Sequence, residues 1–452
     1  MSDDLRAAVE KILPSVRADL EELVRIPSIS ADPQRADQVY ASAKQVAWLA
    51  ETAGATSVEI KSVPGSGPAV IAHWPAPPGM PTVLLYAHHD VQPTGREADW
   101  TTTPFEPTER DGRLYGRGVA DDKAGVMAHI AAIRAFDGHP PVGVTLFIEG
   151  EEEVGSPTFL PFLQAYRDEL VADVIIVADS ANWTVDIPAL TTSLRGLVDC
   201  TVEVSVLDHA VHSGMFGGAV LDALTSLSRL LATLHDENGD VAVAGLVSRS
   251  TADVEYSESR LRTEGGVLDG VQLVGSGSLA ARLWTKPAIS VLGIDATPTV
   301  EAANVLVHSA KAKVSMRLAP GQDPKQAMAA LADHLRANAP FGAKVNVVEG
   351  ALGAPCELDV SGPVYDAARA ALTDAFGASP VDIGVGGSIP FIAEFAEVFP
   401  AATVLVTGVS DPDARAHGVD ESLHLGQFAK VCLAETLLLD RLASLTLPSP
   451  SD

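Results

Sequence analysis

Residues 81–93, Pro-Thr-Val-Leu-Leu-Tyr-Ala-His-His-Asp-Val-Gln-Pro, constrain this chain more than any other stretch. Val83 to Ala87 is a short apolar run, which reads as a buried strand. It ends on His88, His89 and Asp90, and Pro93 prevents the strand from continuing. In α/β proteins ligands gather at the carboxyl edge of the sheet, so polar side chains there are candidate site residues. A His two residues before an Asp suits a metal ligand whose second ring nitrogen is held by the acid. A surface turn holding two histidines is the competing reading, and this stretch alone does not separate the two.

At 452 residues the chain is too long for one ordinary core, so two or three domains are expected. No run of 18 or more apolar residues appears, which argues against a membrane span. The start, Met-Ser-Asp-Asp-Leu-Arg, lacks the basic and apolar segments of a secretory signal. With 59 acidic against 31 basic residues, the net charge of -28 disfavours nucleic acid and anionic membranes as partners. Cys200, Cys356 and Cys432 are far apart and odd in number, so they read as buried thiols in a reducing, cytoplasmic setting.

Helical spacing marks 3–25, 34–54, 124–136 and 158–166. Short apolar runs between them mark strands at 58–63, 69–74, 83–87, 142–148 and 174–178, with 94–115 reading as loop. Alternation of this kind predicts a largely parallel sheet flanked by helices. From about residue 191 the pattern changes to half-exposed strands at 198–207, 311–318 and 345–348, with helices at 219–235 and 324–338. The α/β pattern then resumes with helices at 362–376, 389–397 and 425–444 and strands near 380–383 and 402–406; Pro448 to Asp452 reads as disordered. The expected architecture is therefore α/β, with a discontinuous domain over 1–191 and 356–452 and a smaller α+β domain inserted over 192–355.

Four further stretches place acids or a histidine beyond an apolar strand or before a helix. They are Gly116-Arg117-Gly118-Val119-Ala120-Asp121-Asp122-Lys123, Glu149-Gly150-Glu151-Glu152-Glu153-Val154-Gly155-Ser156, Ala178-Asp179-Ser180 and Ala416-His417-Gly418-Val419-Asp420-Glu421. Singly, each has an ordinary reading. Asp179 alone would cap a helix, His417 alone would be a loop residue, and the acidic run would be a solvated turn. Gly116-Arg117-Gly118 is a poor dinucleotide loop, because Asp121 stands where the third glycine belongs. Together the stretches offer two His, three carboxylates and a spare Glu, which suits two metal ions bridged by a carboxylate and a water.

These motifs, in this order and across nearly the whole chain, resemble the M20 family of metallopeptidases. The resemblance implies that the first domain is catalytic and that the insert is a lid and dimerisation domain, giving a homodimer. It implies one metal held by His88, Asp179 and a shared Asp121, and a second held by Glu153, His417 and Asp121. Asp90 would hold His88, Glu152 would be the general base, and a cis peptide would follow Asp121. Zinc is the expected metal, with manganese or cobalt also suited to these ligands. His212, Arg317, Asn304, Gly387 and Ser388 match substrate contacts, with His212 reaching the partner's site and Arg317 gripping a carboxylate. Asp99, Trp100, Phe105 and the Gly386-Gly387-Ser388-Ile389-Pro390 loop resemble the carnosinase-like dipeptidase branch. The expected activity is hydrolysis of the dipeptide amide bond by a hydroxide shared between two metals. The alternatives are an N-acyl amino acid deacylase, a desuccinylase or a carboxypeptidase with the same centre, or a metal-free scaffold on the same fold.

Overall fold

The strand Thr82–His88 is buried on both sides. Val83, Leu85 and Ala87 are fully buried in the main apolar core with Val126 and Ile130 of the helix Lys123–Arg134 and Leu20 of the helix Ser2–Val24. On the opposite face the Tyr86 ring meets Phe147, Phe159 and Phe395 edge-on, at centroid distances of 5.5, 5.8 and 5.4 Å. Burying such a side chain contributes roughly 1.5–3 kcal/mol, which is why an unbroken apolar run marks a central strand.

The structure, a computed structural model, describes residues 2–252, 254–386 and 390–447. The chain divides into two units, one of Met1–Thr192, Leu358–Ile383 and Pro390–Asp452, the other of Ser193–Glu357 with a short segment beginning at Gly384. The first holds a six-stranded sheet in the order Ser57–Lys61, Ala69–Trp74, Gly143–Glu149, Thr82–His88, Val174–Val177, Thr403–Val406. The last four strands run parallel, and the first two add antiparallel at one edge. His88 lies opposite Glu149, and Tyr86 opposite Val177. The three central strands therefore end at one edge of the sheet, bringing the polar stretches after them together.

The second unit has an antiparallel sheet in the order Ala288–Asp295, Ser309–Leu318, Gly196–Ser205, Lys344–Gly353. Val198, Cys200, Val202 and Val204 share a core with Leu227 of the helix Ala223–Ala232 and Leu331 of the helix Pro324–Ala337. Among the described residues no helix is long and apolar enough to cross a membrane.

Several sequence expectations need correction. Residues 94–115 are not all loop: Thr108–Arg110 and Arg113–Tyr115 pair, and Ser422–His424 extends them. Strands of three residues are too short to show alternation. The helix read over 219–235 is shortened to Ala223–Ala232, because the Asp222 side chain accepts from Thr225 N and sets its start. Residues 236–280, polar and rich in glycine, contain the helix Glu258–Glu264, and Leu279–Trp284 begins at their end. The strand expected near 380–383 is present as Val381–Val385, in a separate three-stranded sheet. Cys356 is half-buried, unlike Cys200 and Cys432, and all three are free thiols. Pro448–Asp452 lie outside the described residues.

Candidate metal centre

Each polar stretch reaches the sheet edge by a local feature of the backbone. After Gly143–Glu149 the chain turns at Gly150, where a Cβ would lie 2.4 Å from Pro68 O and 2.7 Å from His89 Nε2. Only glycine lets the acidic turn Glu151–Glu153 pass that close. Asp121 precedes the helix Lys123–Arg134, and its peptide bond to Asp122 is cis. His417 sits in a loop where Arg415, His417 and Asp420 all have left-handed φ values of 56°, 62° and 56°. Three non-glycine residues in that region cost roughly 1–3 kcal/mol each, which makes the loop a place to look for function.

The Asp121 carboxylate lies between two imidazoles. Its Oδ1 is 3.1 Å from His88 Nε2, and its Oδ2 is 3.0 Å from His417 Nε2. Glu153 Oε2 is 3.1 Å from the same His417 nitrogen, and Glu152 Oε2 is 3.9 Å from His88 Nε2. Donor atoms of His88, Glu152 and Asp179 lie within 4.8 Å of one another, as do those of His88, Asp121 and Glu153. His88 Nδ1 faces Asp90, at 3.1 Å from its carbonyl oxygen and 3.4 Å from Oδ1, which leaves Nε2 for the cluster. The Asp90 carboxylate also accepts from Glu152 N and Glu153 N, at 3.2 and 3.0 Å. One fully buried acid thus orients the histidine and the acidic turn together.

The electrostatics follow from crowding. Desolvation pushes Glu152 up to about 7, against the pull of His88. Desolvation likewise raises Asp179 and Asp122 well above the carboxylate range. It also opposes ionisation of Asp121, but hydrogen bonds from His417 and His88 hold that acid well below its usual value. His417 is pushed up to about 10 by Asp121 and Glu153. Asp122 Oδ1 is buried with no hydrogen-bond partner. Several carboxylates that raise one another around two imidazoles form the donor set of divalent cations, so the residues present fit a metal centre.

His212, Asn304 and Arg317 lie in the second unit. His212 is exposed on the short strand Val211–His212, opposite Val305, and its Nδ1 accepts from Gly214 N at 3.0 Å. Asn304 is exposed beside it, and its carbonyl oxygen accepts from Ser213 N at 3.0 Å and Ser213 Oγ at 2.9 Å. Arg317 is half-buried on Ser309–Leu318, opposite Leu197 and Ala288. Gly387 and Ser388 lie outside the described residues. His89 Nε2 donates to Pro68 O at 2.8 Å, away from the cluster. Gln92 was missed: its Nε2 donates to Glu153 Oε2 at 2.8 Å and its N to Oε1 at 3.1 Å, so it holds both oxygens of that acid. Its place two residues after Asp90 was the available signal.

Comparison with known proteins identifies the family. Residues 84–440 match the model of peptidase family M20/M25/M40. The chain is 36% identical over 428 residues to a cysteinylglycine-S-conjugate dipeptidase of Corynebacterium striatum, covering 93% of this chain and 94% of that protein. It is 31% identical over 387 residues to a Beta-Ala-His dipeptidase of Rattus norvegicus, covering 79% and 76%. The crystal structure of human carnosine dipeptidase 1 superposes with a TM-score of 0.80 at 25% identity, over 98% of this chain and 99% of that one. This chain is a member of peptidase family M20/M25/M40.

Proposed function

We propose that this protein is a metal-dependent dipeptidase with two divalent cations sharing Asp121. The observation that carries the reading is the Asp121 carboxylate, one oxygen facing His88 and the other His417, each about 3 Å away. His88 and Asp179 would complete one ion's ligands, and Glu153 and His417 the other's. Zinc suits this mixture of imidazole and carboxylate, as do manganese and cobalt. Bound there, the ions would supply Lewis acidity towards a peptide carbonyl and lower the pKa of a water towards neutrality.

The remaining chemistry belongs to the chain. Glu152, with Oε2 3.9 Å from His88 Nε2, is the carboxylate placed to carry a proton beside the cluster. It takes the proton of the attacking water and delivers it to the leaving amine. Asp90 keeps His88 Nε2 turned to the cluster and anchors the backbone beneath Glu152. Arg317 is the group for the substrate's carboxylate, since a guanidinium pairs with it through two parallel bonds. His212, with Asn304, Gly387 and Ser388, contributes further substrate contacts. The dipeptidase names of two relatives that span most of the chain support dipeptides over acylated amino acids.

A substrate panel on metal-supplemented protein tests this. Dipeptides, including cysteinylglycine conjugates and β-alanyl-histidine, should be cleaved faster than N-acetyl and N-succinyl amino acids. Arg317→Met should lower kcat/KM for dipeptides roughly 10–150-fold, mostly through KM, as expected from losing a charged hydrogen-bonded pair. Faster turnover of the acylated amino acids would point to a deacylase instead.

The free thiols and acidic surface support a cytoplasmic setting. We also assign a homodimer formed through the second unit. Both edges of its sheet expose apolar side chains: Leu292 is 64% exposed on one, and Val348 58% on the other. Uncovered apolar edges of this kind invite pairing. Sedimentation equilibrium should give a dimer, and Leu292→Asp or Val348→Asp should shift it towards monomer. A wild-type monomer at micromolar concentration would contradict the assignment.

A further inference from the structure

The acid at the end of the His417 stretch has no role in the chemistry above, yet all four of its acceptor positions are used. Glu421 is fully buried, and its Oε1 accepts from Ala120 N at 2.9 Å and Asp121 N at 3.1 Å. Its Oε2 accepts from Gly118 N at 2.9 Å and Arg117 Nη1 at 2.6 Å. A carboxylate offers about four lone-pair sites, so this one is saturated. Its own carbonyl oxygen accepts from Gly116 N at 3.0 Å.

Arg117, 1% exposed, completes the link. Its Nη2 donates to Gly418 O at 3.0 Å and Pro93 O at 3.2 Å. Gly418 follows His417, and Pro93 follows Gln92, which holds Glu153. One ion pair thus joins the loop bearing Asp121, the loop bearing His417 and the segment running on from His88 and Asp90. Gly118 accommodates the turn with a φ of +78°, where a Cβ would lie 2.3 Å from Val91 Cγ1. A buried ion pair is a weak source of stability, because desolvation offsets much of its attraction. Placement of ligands is a use that does not depend on net stabilisation.

We propose that Glu421, paired with Arg117, is a positioning residue that sets Asp121 against His417 by gripping the backbone N–H groups of residues 118, 120 and 121. It touches neither substrate nor reacting atoms. The proposal rests on the two-metal reading above. In Glu421→Gln the amide NH2 must face either Arg117 and Gly118 N or Ala120 N and Asp121 N. In both orientations donors oppose donors, and the Asp121 loop loses its fixed geometry.

The test is metal titration of chelator-stripped wild type, Glu421→Gln and Arg117→Lys, using zinc against a chromophoric competitor. Thermal melting of the metal-free proteins and the metal dependence of kcat accompany it. Wild type should bind two ions. Glu421→Gln should bind zinc roughly 10–100-fold more weakly, the usual effect of removing a group that orients metal ligands. Its kcat should recover as zinc is raised. Arg117→Lys, which keeps the charge but not the fork, should show a smaller loss in the same direction. A role confined to folding would lower the melting temperature and leave the zinc affinity of the folded protein unchanged, which overturns the proposal. Failure of both variants to fold also overturns it, by assigning the pair to folding. If wild type itself binds no zinc, it is the two-metal reading that fails.

Discussion

Glu152→Gln should retain its metal and lose turnover, with kcat on a good dipeptide substrate falling about 10²–10⁴-fold, the usual contribution of a positioned proton carrier. The substitution keeps the size of the side chain. The backbone also stays in place, because Glu152 N is held by Asp90 and does not depend on the side chain. What is lost is a carboxyl group, 3.9 Å from His88 Nε2 at the cluster, that can accept a proton and return it. kcat and kcat/KM should fall together, since the proton transfer belongs to the transition state. Metal content and melting temperature should match wild type. Near-normal turnover would remove Glu152 from the mechanism and leave the proton with another group.

Asp121→Asn should have the larger effect on the centre itself. In the wild type each Asp121 oxygen meets a different imidazole nitrogen, 3.1 Å from His88 and 3.0 Å from His417. An amide keeps the shape and replaces one oxygen with a donor, so it serves one side of the pair at most. At least one ion should then be bound more weakly by 10–100-fold or more, with activity lost in parallel. The metal-free fold should lose some stability as well, because His88 and His417 hold the Asp121 charge and depress its pKa. The stripped variant should therefore melt below stripped wild type at neutral pH, and zinc affinity should be measured at a temperature where both are folded. Wild-type affinity for two ions in Asp121→Asn would show that the carboxylate does not bridge them.

Much of this centre was legible in the sequence because each candidate ligand directly follows a pattern that physics makes readable. His88 ends an apolar run that reads as a buried strand, and Glu152, Glu153 and Asp179 follow two more such runs. Parallel strands end together, so residues after them meet. The groups that hold the ligands were not legible, because their meaning lies in a pairing across the chain. Glu421 bonds Gly118 N across 303 residues of sequence. Nothing local distinguishes it from a solvated acid, and Arg117 sat in a motif that looked like a weak dinucleotide loop. Gln92 lay beside a recognised motif, but the amide type carries no metal signal. Other features of the fold were hidden for similar reasons. Val381–Val385 is plainly a strand, but its composition does not say which sheet it joins. The hairpin Thr108–Tyr115 is too short for any periodicity to appear.

The central claim is that side chains from five separate stretches hold a pair of divalent cations in this chain. Its most direct test is elemental counting of metal per chain by mass spectrometry after reconstitution and removal of free ions, with dipeptide hydrolysis measured on the same sample. Two ions per chain, with activity rising as they are restored to stripped protein, is the predicted result. Full dipeptide hydrolysis with less than one ion per chain would contradict the account.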